Sequence, residues 1–503
     1  MAATATLLLP TSTPPEYHRI VSEAVHIPTD PTTPVPVGIL ACQRDPLLRE
    51  LKTNVVSCMV HQPPPAPAGK KAKKAVIAPT LPDDPILEVI LQDTVIFPEG
   101  GGQPTDTGII TTNDGTVWQV VQAKRHGGHG VHYVKVHGDV NVAISAFTPG
   151  SSVTVALDQA GFDRRYDHMS MHTSQHLLSA LLETRLGLPT LSWSLTSYPT
   201  PCYVEIPRGM IVEEILSIQN EANRLVFEGR KVHVEVRELD REQEQGVQKL
   251  ESGRAVGKAL PDDYTGGVKR VVVIDGVDRN PCCGTHMPSL HNLQLFLLPH
   301  TDSLSRSTTT SARLYFLAGP RLIAHLTTTH SLLSSTASVL SCGMPLVPER
   351  VTQVIDERRR AEKRVGEVEI ELARSLAKEF AAVIGPHQEG LFKQHIHRLD
   401  DSANALGFLS TVAFAITDTI PNTQKYLIIV TSSPSGQNAS STSVALVVGS
   451  DEKLVKAVGE GLKSKLGIKG GGKGPRWTGK WTGVWKESKE NAVVQEILET
   501  TLE

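Results

Sequence analysis

The 503-residue chain has little of what marks several protein classes. No apolar run approaches the ~18–20 residues needed to cross a bilayer, so a membrane anchor is not expected. The apolar stretch LLLP at 7–10 is too short for a secretory core and has no basic flank. Within the first 37 residues the only basic side chains are His18, Arg19 and His26, a poor match to an Arg-rich presequence. Net charge is only -3, so there is no global excess of cation to mark a nucleic-acid binder, and any such surface must be local. Six cysteines (Cys42, Cys58, Cys202, Cys282, Cys283 and Cys342) are too sparse for a disulfide scaffold. In a cytosolic chain, clustered cysteine favours metal or redox chemistry.

What is present divides the chain into zones. Residues 1–37, rich in Thr and Pro, read as a disordered extension. Residues 38–160 carry short strand patterns at 55–62, 86–98, 108–123, 132–138 and 151–158, separated by Gly, Pro and Asn turns. That regular punctuation predicts a small β-barrel domain. The Pro-, Ala- and Lys-rich stretch 61–84 reads as a flexible insertion in it. Near residue 162 the apolar period becomes helical and a Gly-x-Pro stop follows at 187–189. A second helix fits 211–229, and strands fit 231–239, 268–276 and 293–298. Residues 161–320 therefore read as an α+β domain. Residues 321–384 read as a helical connector whose highly charged second helix, 348–384, is a candidate dimerisation element. Residues 385–503 alternate strands and helices as a small α/β domain does.

Four stretches carry chemistry. HMSMHTSQH at 168–176 places His168, His172 and His176 four residues apart on a predicted helix. Neighbours at i and i+4 share a face, with Cβ atoms ~5–6 Å apart. Three in succession span about 12 Å, too far for one ion with bonds of ~2 Å. Either His168 with His172 or His172 with His176 can therefore share a metal, but not all three. CCGTH at 282–286 supplies a thiolate and an imidazole on a glycine turn, which together with a histidine pair makes a four-ligand zinc set. FPEGGGQPTDTG at 97–108 offers Gly100, Gly101, Gly102, Gln103 and Thr105 as a backbone cradle for substrate. It is neither a Walker loop nor a dinucleotide fingerprint, so no nucleotide cofactor is expected. Finally, 463–486 interleaves Lys469, Lys473, Arg476 and Lys480 with Trp477 and Trp481, a composition suited to RNA phosphates and unstacked bases.

Together, FPEGGGQP, HTSQHLL and CCGTH, with ACQRD (41–45), NVVSC (54–58), LPDD (260–263) and IDGVDRNP (274–281), resemble the alanyl-tRNA editing proteins of the long AlaX type, free-standing homologues of the editing half of alanyl-tRNA synthetase. The resemblance is strong over 38–330 and extends to KGGGKGPRWTGK in the C-terminal region. It implies one Zn2+ held by His172, His176, Cys282 and His286, and hydrolysis in trans of mischarged alanine tRNA, principally seryl-tRNA(Ala), in the cytoplasm and without aminoacylation. His168 and Cys283 fall outside its motifs. Ser192, Ser194 and Thr105 are the expected readers of the serine hydroxyl. The chain departs from the family at Ser194, where relatives often have Glu, and at Pro207, where an acidic residue is common. A rival reading is a catalytically inactive, zinc-stabilised RNA-binding module. A metallopeptidase is disfavoured because Thr-Ser-Gln, and no Glu, lies between His172 and His176.

Overall fold

The computed structural model describes residues 12–62, 81–82, 84–239, 268–304, 310–384, 390–402, 404–421 and 423–501. Most of the expected insertion at 61–84 and all of LPDD (260–263) lie outside these residues. The chain is α+β and forms two compact units, 1–333 and 334–503.

The extension 1–37, expected to be disordered, is described from residue 12 and is structured there: His18–Ile20 (β1) pairs in parallel with a strand at 234–236. Tyr17, Val25, Val35 and Val37 are buried in the main core. The Thr/Pro composition masked widely spaced apolar anchors, none periodic enough to read as an element. A short helix, Ala41–Arg44 (α1), follows. Six strands then close a barrel: Glu50–Val60 (β2), Ile86–Leu91 (β3), Gly108–Thr112 (β4), Val117–His126 (β5), His129–Lys135 (β6) and Ser152–Ala156 (β7), in the order β2-β3-β6-β5-β4-β7. All six pairings are antiparallel. The apolar residues alternate in β4 and β7, so Ile110, Val153 and Val155 point inward. Closure removes the exposed edges that such a sheet would otherwise present. Val140–Ala146 (α2) bridges β6 and β7.

Gln159–Leu186 (α3) is the axis of the unit. Asp158 caps its N-terminus through Gly161 N at 2.7 Å, and Gly187, at φ 63°, ends it. The helix is buried on nearly all sides, including polar residues from Arg165 to His176. Its first turns are tied to the barrel by Arg165, fully buried, whose Nε donates to Asp106 Oδ2 at 2.7 Å and whose Nη2 donates to Val95 O at 2.6 Å. A second set of elements surrounds α3: Ser192–Ser194 (β8), Cys202–Ile206 (β9), Val212–Glu228 (α4), Val232–Glu238 (β10), Val268–Ile274 (β11), Asp278–Pro281 (β12), Phe296–Leu297 (β13), Thr301–Ser303 (β14) and Ala312–Ala318 (β15). One sheet runs β1-β10-β11-β12 and another β13-β15-β9-β8. A single hydrophobic core joins barrel, helix and sheets.

Gly319–Val339 (α5) crosses the boundary between the units. The second unit contains Val347–Ile384 (α6), Phe392–Leu399 (β16), Ala405–Thr419 (α7), Tyr426–Ser433 (β17), Thr442–Gly449 (β18), Glu452–Leu466 (α8), Lys469–Gly472 (β19), Arg476–Thr482 (β20) and Ala492–Thr500 (α9). Its sheet, β16-β17-β18-β20-β19, is covered on one face by the end of α6 and α7, and on the other by α8 and α9. Both faces of β17 and β18 are buried, which explains their continuous apolar runs.

Candidate metal centre

Two distant segments meet at one point. α3 presents His172 and His176 on one face, and the turn that follows β12 delivers Cys282 and His286. All four are buried, and their ligand atoms lie within 4.8 Å of one another. Cys282 Sγ sits 3.3 Å from His172 Nε2 and 3.4 Å from His286 Nε2. A tetrahedral ion with bonds of ~2.0 Å to nitrogen and ~2.3 Å to sulfur separates such donors by about 3.5 Å. The donor set and its spacing therefore fit a metal ion, and a mixed His/Cys set is of the kind zinc prefers.

Each imidazole is aimed by an oxygen on its far side. His172 Nδ1 lies 3.0 Å from Gln103 Oε1, and His176 Nδ1 lies 2.8 Å from Asp278 Oδ2. His286 Nδ1 lies 3.4 Å from Thr173 Oγ1, whose own proton goes to Met169 O at 2.9 Å. In all three rings Nδ1 therefore carries a proton, which leaves Nε2 as the nitrogen that faces an ion. Gln103 is held in turn: its Oε1 also accepts from Thr285 N at 2.9 Å, and its Nε2 donates to Thr285 Oγ1 at 2.8 Å. Arg270, fully buried, donates to Cys282 O at 3.0 Å and to Gly284 O, and Tyr17 OH donates to His286 O at 3.0 Å. Gln43 Nε2 donates to Cys283 O at 2.7 Å.

Charge follows this geometry. Burial alone would raise the Cys282 thiol, but His172 and His286 hold it well below its ordinary range. Burial opposes charge on His176, yet Asp278 and Cys282 lift it to about 10. Without an ion the cluster thus pairs a Cys282 thiolate with a protonated His176, and a cation that binds there takes the place of that proton. Cys283 and His168 stand apart. Burial pushes the Cys283 thiol up to about 11 and His168 down to about 3. His168 Nδ1 has no hydrogen-bond partner among the described residues.

The glycine loop lies over this centre. Gly101 and Gly102 adopt φ of 59° and 77°, and a Cβ on Gly101 would meet Gly284 N at 3.3 Å and Cys282 Sγ at 3.6 Å. Gly102 packs on Trp193 so closely that a Cβ would lie 2.5 Å from Nε1. Gly100 and Gln103 close the loop through paired backbone hydrogen bonds. Of the other expected substrate contacts, Thr105 and Ser192 have hydroxyl partners within the fold. Thr105 is fully buried, donates to Asp106 O at 2.8 Å and accepts from Ala123 N at 2.7 Å, so its hydroxyl serves the barrel. Ser192 donates to Glu205 at 2.6 Å. Ser192 and Ser194 pair with Glu205 and Tyr203, on the side of β8 opposite Trp193. Trp193, between them, is the residue that reaches the loop. Strand alternation could have identified it had β8 been recognised.

In the basic segment, Lys469 and Lys480 are direct cross-strand partners, and both are exposed together with Lys473. Arg476 stacks on Phe414 with its Cζ 3.5 Å from the ring centroid. Trp477, expected as a stacking platform, is instead core. It is 4% exposed and packed so tightly on Gly459 that a Cβ there would overlap its ring. Trp481 is half-buried and meets Trp485 edge to face.

No family model matches the chain. Curated relatives do. The alanyl-tRNA editing protein Aarsd1 of Mus musculus is 30% identical over 461 residues, covering 91% of this chain and 98% of the relative. The alanyl-tRNA editing protein Aarsd1-B of Xenopus laevis is 32% identical over 336 residues, 67% of this chain and 71% of its own. The alanine–tRNA ligase of Pyrococcus abyssi is 29% identical over 301 residues, 59% of this chain but 30% of the ligase. Identity of this extent, over nearly the full length of the mouse protein, shows that the chain belongs to the alanyl-tRNA editing proteins.

Proposed function

We propose that this protein hydrolyses the ester of mischarged alanine tRNA, principally seryl-tRNA(Ala), at a zinc site formed by His172, His176, Cys282 and His286. The observation that carries the reading is the set of three imidazoles, each held at Nδ1 by an oxygen and turned toward Cys282 Sγ. Zinc, when bound, supplies Lewis acidity at an ester carbonyl or at water. The chain's own residues supply the rest. Gln103 and Asp278 hold His172 and His176 in their binding tautomers. Gly101 and Gly102 let the loop approach the CCGTH turn without a side chain in the way, and Trp193 backs that loop. Burial of the centre excludes bulk water, which strengthens every electrostatic interaction there.

Lys469, Lys473 and Lys480, with Arg476, are proposed to hold tRNA phosphates, and Trp481 is the remaining aromatic candidate. Serine as the principal substrate rests on the family resemblance, because Thr105 and Ser192 spend their hydroxyls on other partners. The proposed compartment is the cytoplasm. Among the described residues, no helix is long and apolar enough to cross a membrane.

The test is deacylation of seryl-tRNA(Ala) and alanyl-tRNA(Ala) by the purified chain and by the double variant Cys282→Ala, His176→Ala, with metal content measured on both. Loss of serine alone, abolished with the metal in the variant, supports a trans-editing enzyme. No hydrolysis by zinc-loaded protein leaves a zinc-stabilised RNA-binding module.

A further inference from the structure

The peptide group between His286 and Met287 is gripped at both ends. Its carbonyl accepts from Tyr17 OH at 3.0 Å, and its N–H donates to Thr173 Oγ1 at 2.9 Å. Thr173 stands on α3 between His172 and His176, and Tyr17 comes from the segment that leads into β1. Two anchors on one peptide plane fix the Cα of His286, and with it the direction of the imidazole. This matters more for His286 than for the other two histidines of the cluster. Gln103 and Asp278 meet His172 and His176 at 3.0 and 2.8 Å, whereas Thr173 lies 3.4 Å from His286 Nδ1 and already accepts from Met287 N. The His286 ring is therefore the one held least firmly at its own nitrogen, and it depends most on its backbone. The other carbonyls of the turn are held as well, by Arg270 at Cys282 and Gly284 and by Gln43 at Cys283.

We propose that Tyr17 is a positioning residue of the metal centre, and that metal binding is coupled to the docking of segment 12–24. The proposal rests on the metal reading of the cluster and not on the ester hydrolysis assigned to it. Tyr17 is 1% exposed and is the only buried residue from 12 to 24. The strand beside it, β1, has three residues, lies at the edge of its sheet, pairs in parallel with β10, and leaves Arg19 and Ile20 exposed. A strand so short and so exposed has little stability of its own. Its segment is held at one buried ring, and the hydroxyl of that ring ends on the turn that carries Cys282 and His286. A metal ion that draws His286 Nε2 and Cys282 Sγ together also fixes the carbonyl that Tyr17 needs as its acceptor. The coupling is reciprocal: whatever factor the docked segment adds to metal affinity, the metal adds to docking. A segment whose composition marks it as an extension is thereby made part of the site.

The experiment uses the full-length protein. Metal affinity is read by chelator competition, ligand geometry by the visible absorption of the Co2+-loaded chain, and docking by hydrogen exchange of residues 12–24 with and without zinc. In the native chain zinc should slow exchange in that segment. Tyr17→Phe keeps the ring in the core and removes only the hydroxyl. It should weaken metal binding about three- to tenfold, as expected for one hydrogen bond, shift the cobalt bands, and remove most of the slowing that zinc causes. Val35→Ala is the control. It opens a cavity in the same core, where Val35 N donates to Gln92 O beside the barrel. It should lower the thermal midpoint and leave the cobalt bands in place. Unchanged affinity and bands in Tyr17→Phe, equal changes in Val35→Ala, or native exchange indifferent to zinc would each overturn the proposal, and the last needs no variant to fold. Deacylation is assayed separately. A coupled metal site without turnover would leave the proposal standing and sink the hydrolase, turnover with an indifferent Tyr17 would do the reverse, and a chain that binds no metal would sink both.

Discussion

Gln103 Oε1 accepts from His172 Nδ1 at 3.0 Å and from Thr285 N at 2.9 Å, so one amide ties the glycine loop to both halves of the metal centre. The side chain is fully buried, and its NH2 is held by Thr285 Oγ1 at 2.8 Å. Truncation to Ala would strand two buried donors and release the His172 ring. Metal affinity of Gln103→Ala, measured by competition with a chromophoric chelator, should fall about 10–100-fold. The fold should survive, since the barrel does not depend on this contact. Unchanged affinity would show that His172 is oriented by other means.

Asp278 plays the same part for His176, from a different element. It heads β12, and its Oδ2 lies 2.8 Å from His176 Nδ1. Asp278→Ala should lower metal affinity by a comparable ~10-fold or more. Asp278→Asn, which keeps an acceptor oxygen but no charge, should fall between the two. Equal losses in both variants would mean that charge, and not the hydrogen bond, is the contribution.

These supports show what could and could not be read in the chain. The histidine helix and the Cys-His turn were legible because metal chemistry favours His and Cys at helical and turn spacing, but spacing left His168 and Cys283 as alternatives, and it was the family resemblance that selected His172, His176, Cys282 and His286 as candidate ligands. Alternating strands and a long helical period made the barrel and α3 legible for the same reason: periodicity is local. Asp278, Thr173, Tyr17 and Arg270 were not legible. Each is an ordinary residue whose role exists only because β12, α3 and the N-terminal segment converge. Trp193 was passed over between Ser192 and Ser194 for a related reason, since a three-residue strand is too short for its alternation to be read in the sequence. Trp477 was read as a stacking platform, but on β20 it shares a face with Trp481, four residues on, and at Trp477 that face is buried in the core.

Gly284 tests the closeness of the centre. A Cβ there would overlap Cε1 and Nδ1 of His172, on the side that Gln103 holds. Gly284→Ala should displace the ring and cost metal affinity at least as much as Gln103→Ala, with little change in secondary structure by circular dichroism. Gly115→Ala is the control. It has a positive φ of 84° but open space around it, so any strain there cannot reach the metal. If the two substitutions weaken metal binding equally, the effect is general destabilisation.

Stability should depend on pH through His132. It is buried inside the barrel, where Nδ1 donates to Val89 O at 3.0 Å and Nε2 accepts from Thr94 Oγ1 at 2.8 Å. Burial depresses it to about 4 from an ordinary 6.5. The unfolded chain therefore takes up a proton below about pH 6.5 that the folded chain refuses down to about pH 4. Stability is full above that window and falls as pH drops through it. His132→Gln should flatten the acid limb of the denaturant midpoint plotted against pH, although it also lowers stability at neutral pH. An unchanged slope would assign the acid sensitivity to other buried groups.

In the C-terminal unit, core residues and the proposed tRNA contacts lie within a few positions of one another. Trp477 is 4% exposed, so Trp477→Ala should destabilise that domain by about 3–5 kcal/mol and lower tRNA binding only through unfolding. Lys469, Lys473 and Lys480 are exposed, and their substitution should leave the thermal midpoint nearly unchanged. If they hold phosphates, each Lys→Gln change should weaken tRNA binding and make the slope of log affinity against log salt shallower by about 0.7–1. Filter binding at several salt concentrations reads both quantities. A lysine variant that binds less tightly with an unchanged salt slope would not be losing a phosphate contact, and the basic hairpin would then be a solvated edge of the sheet.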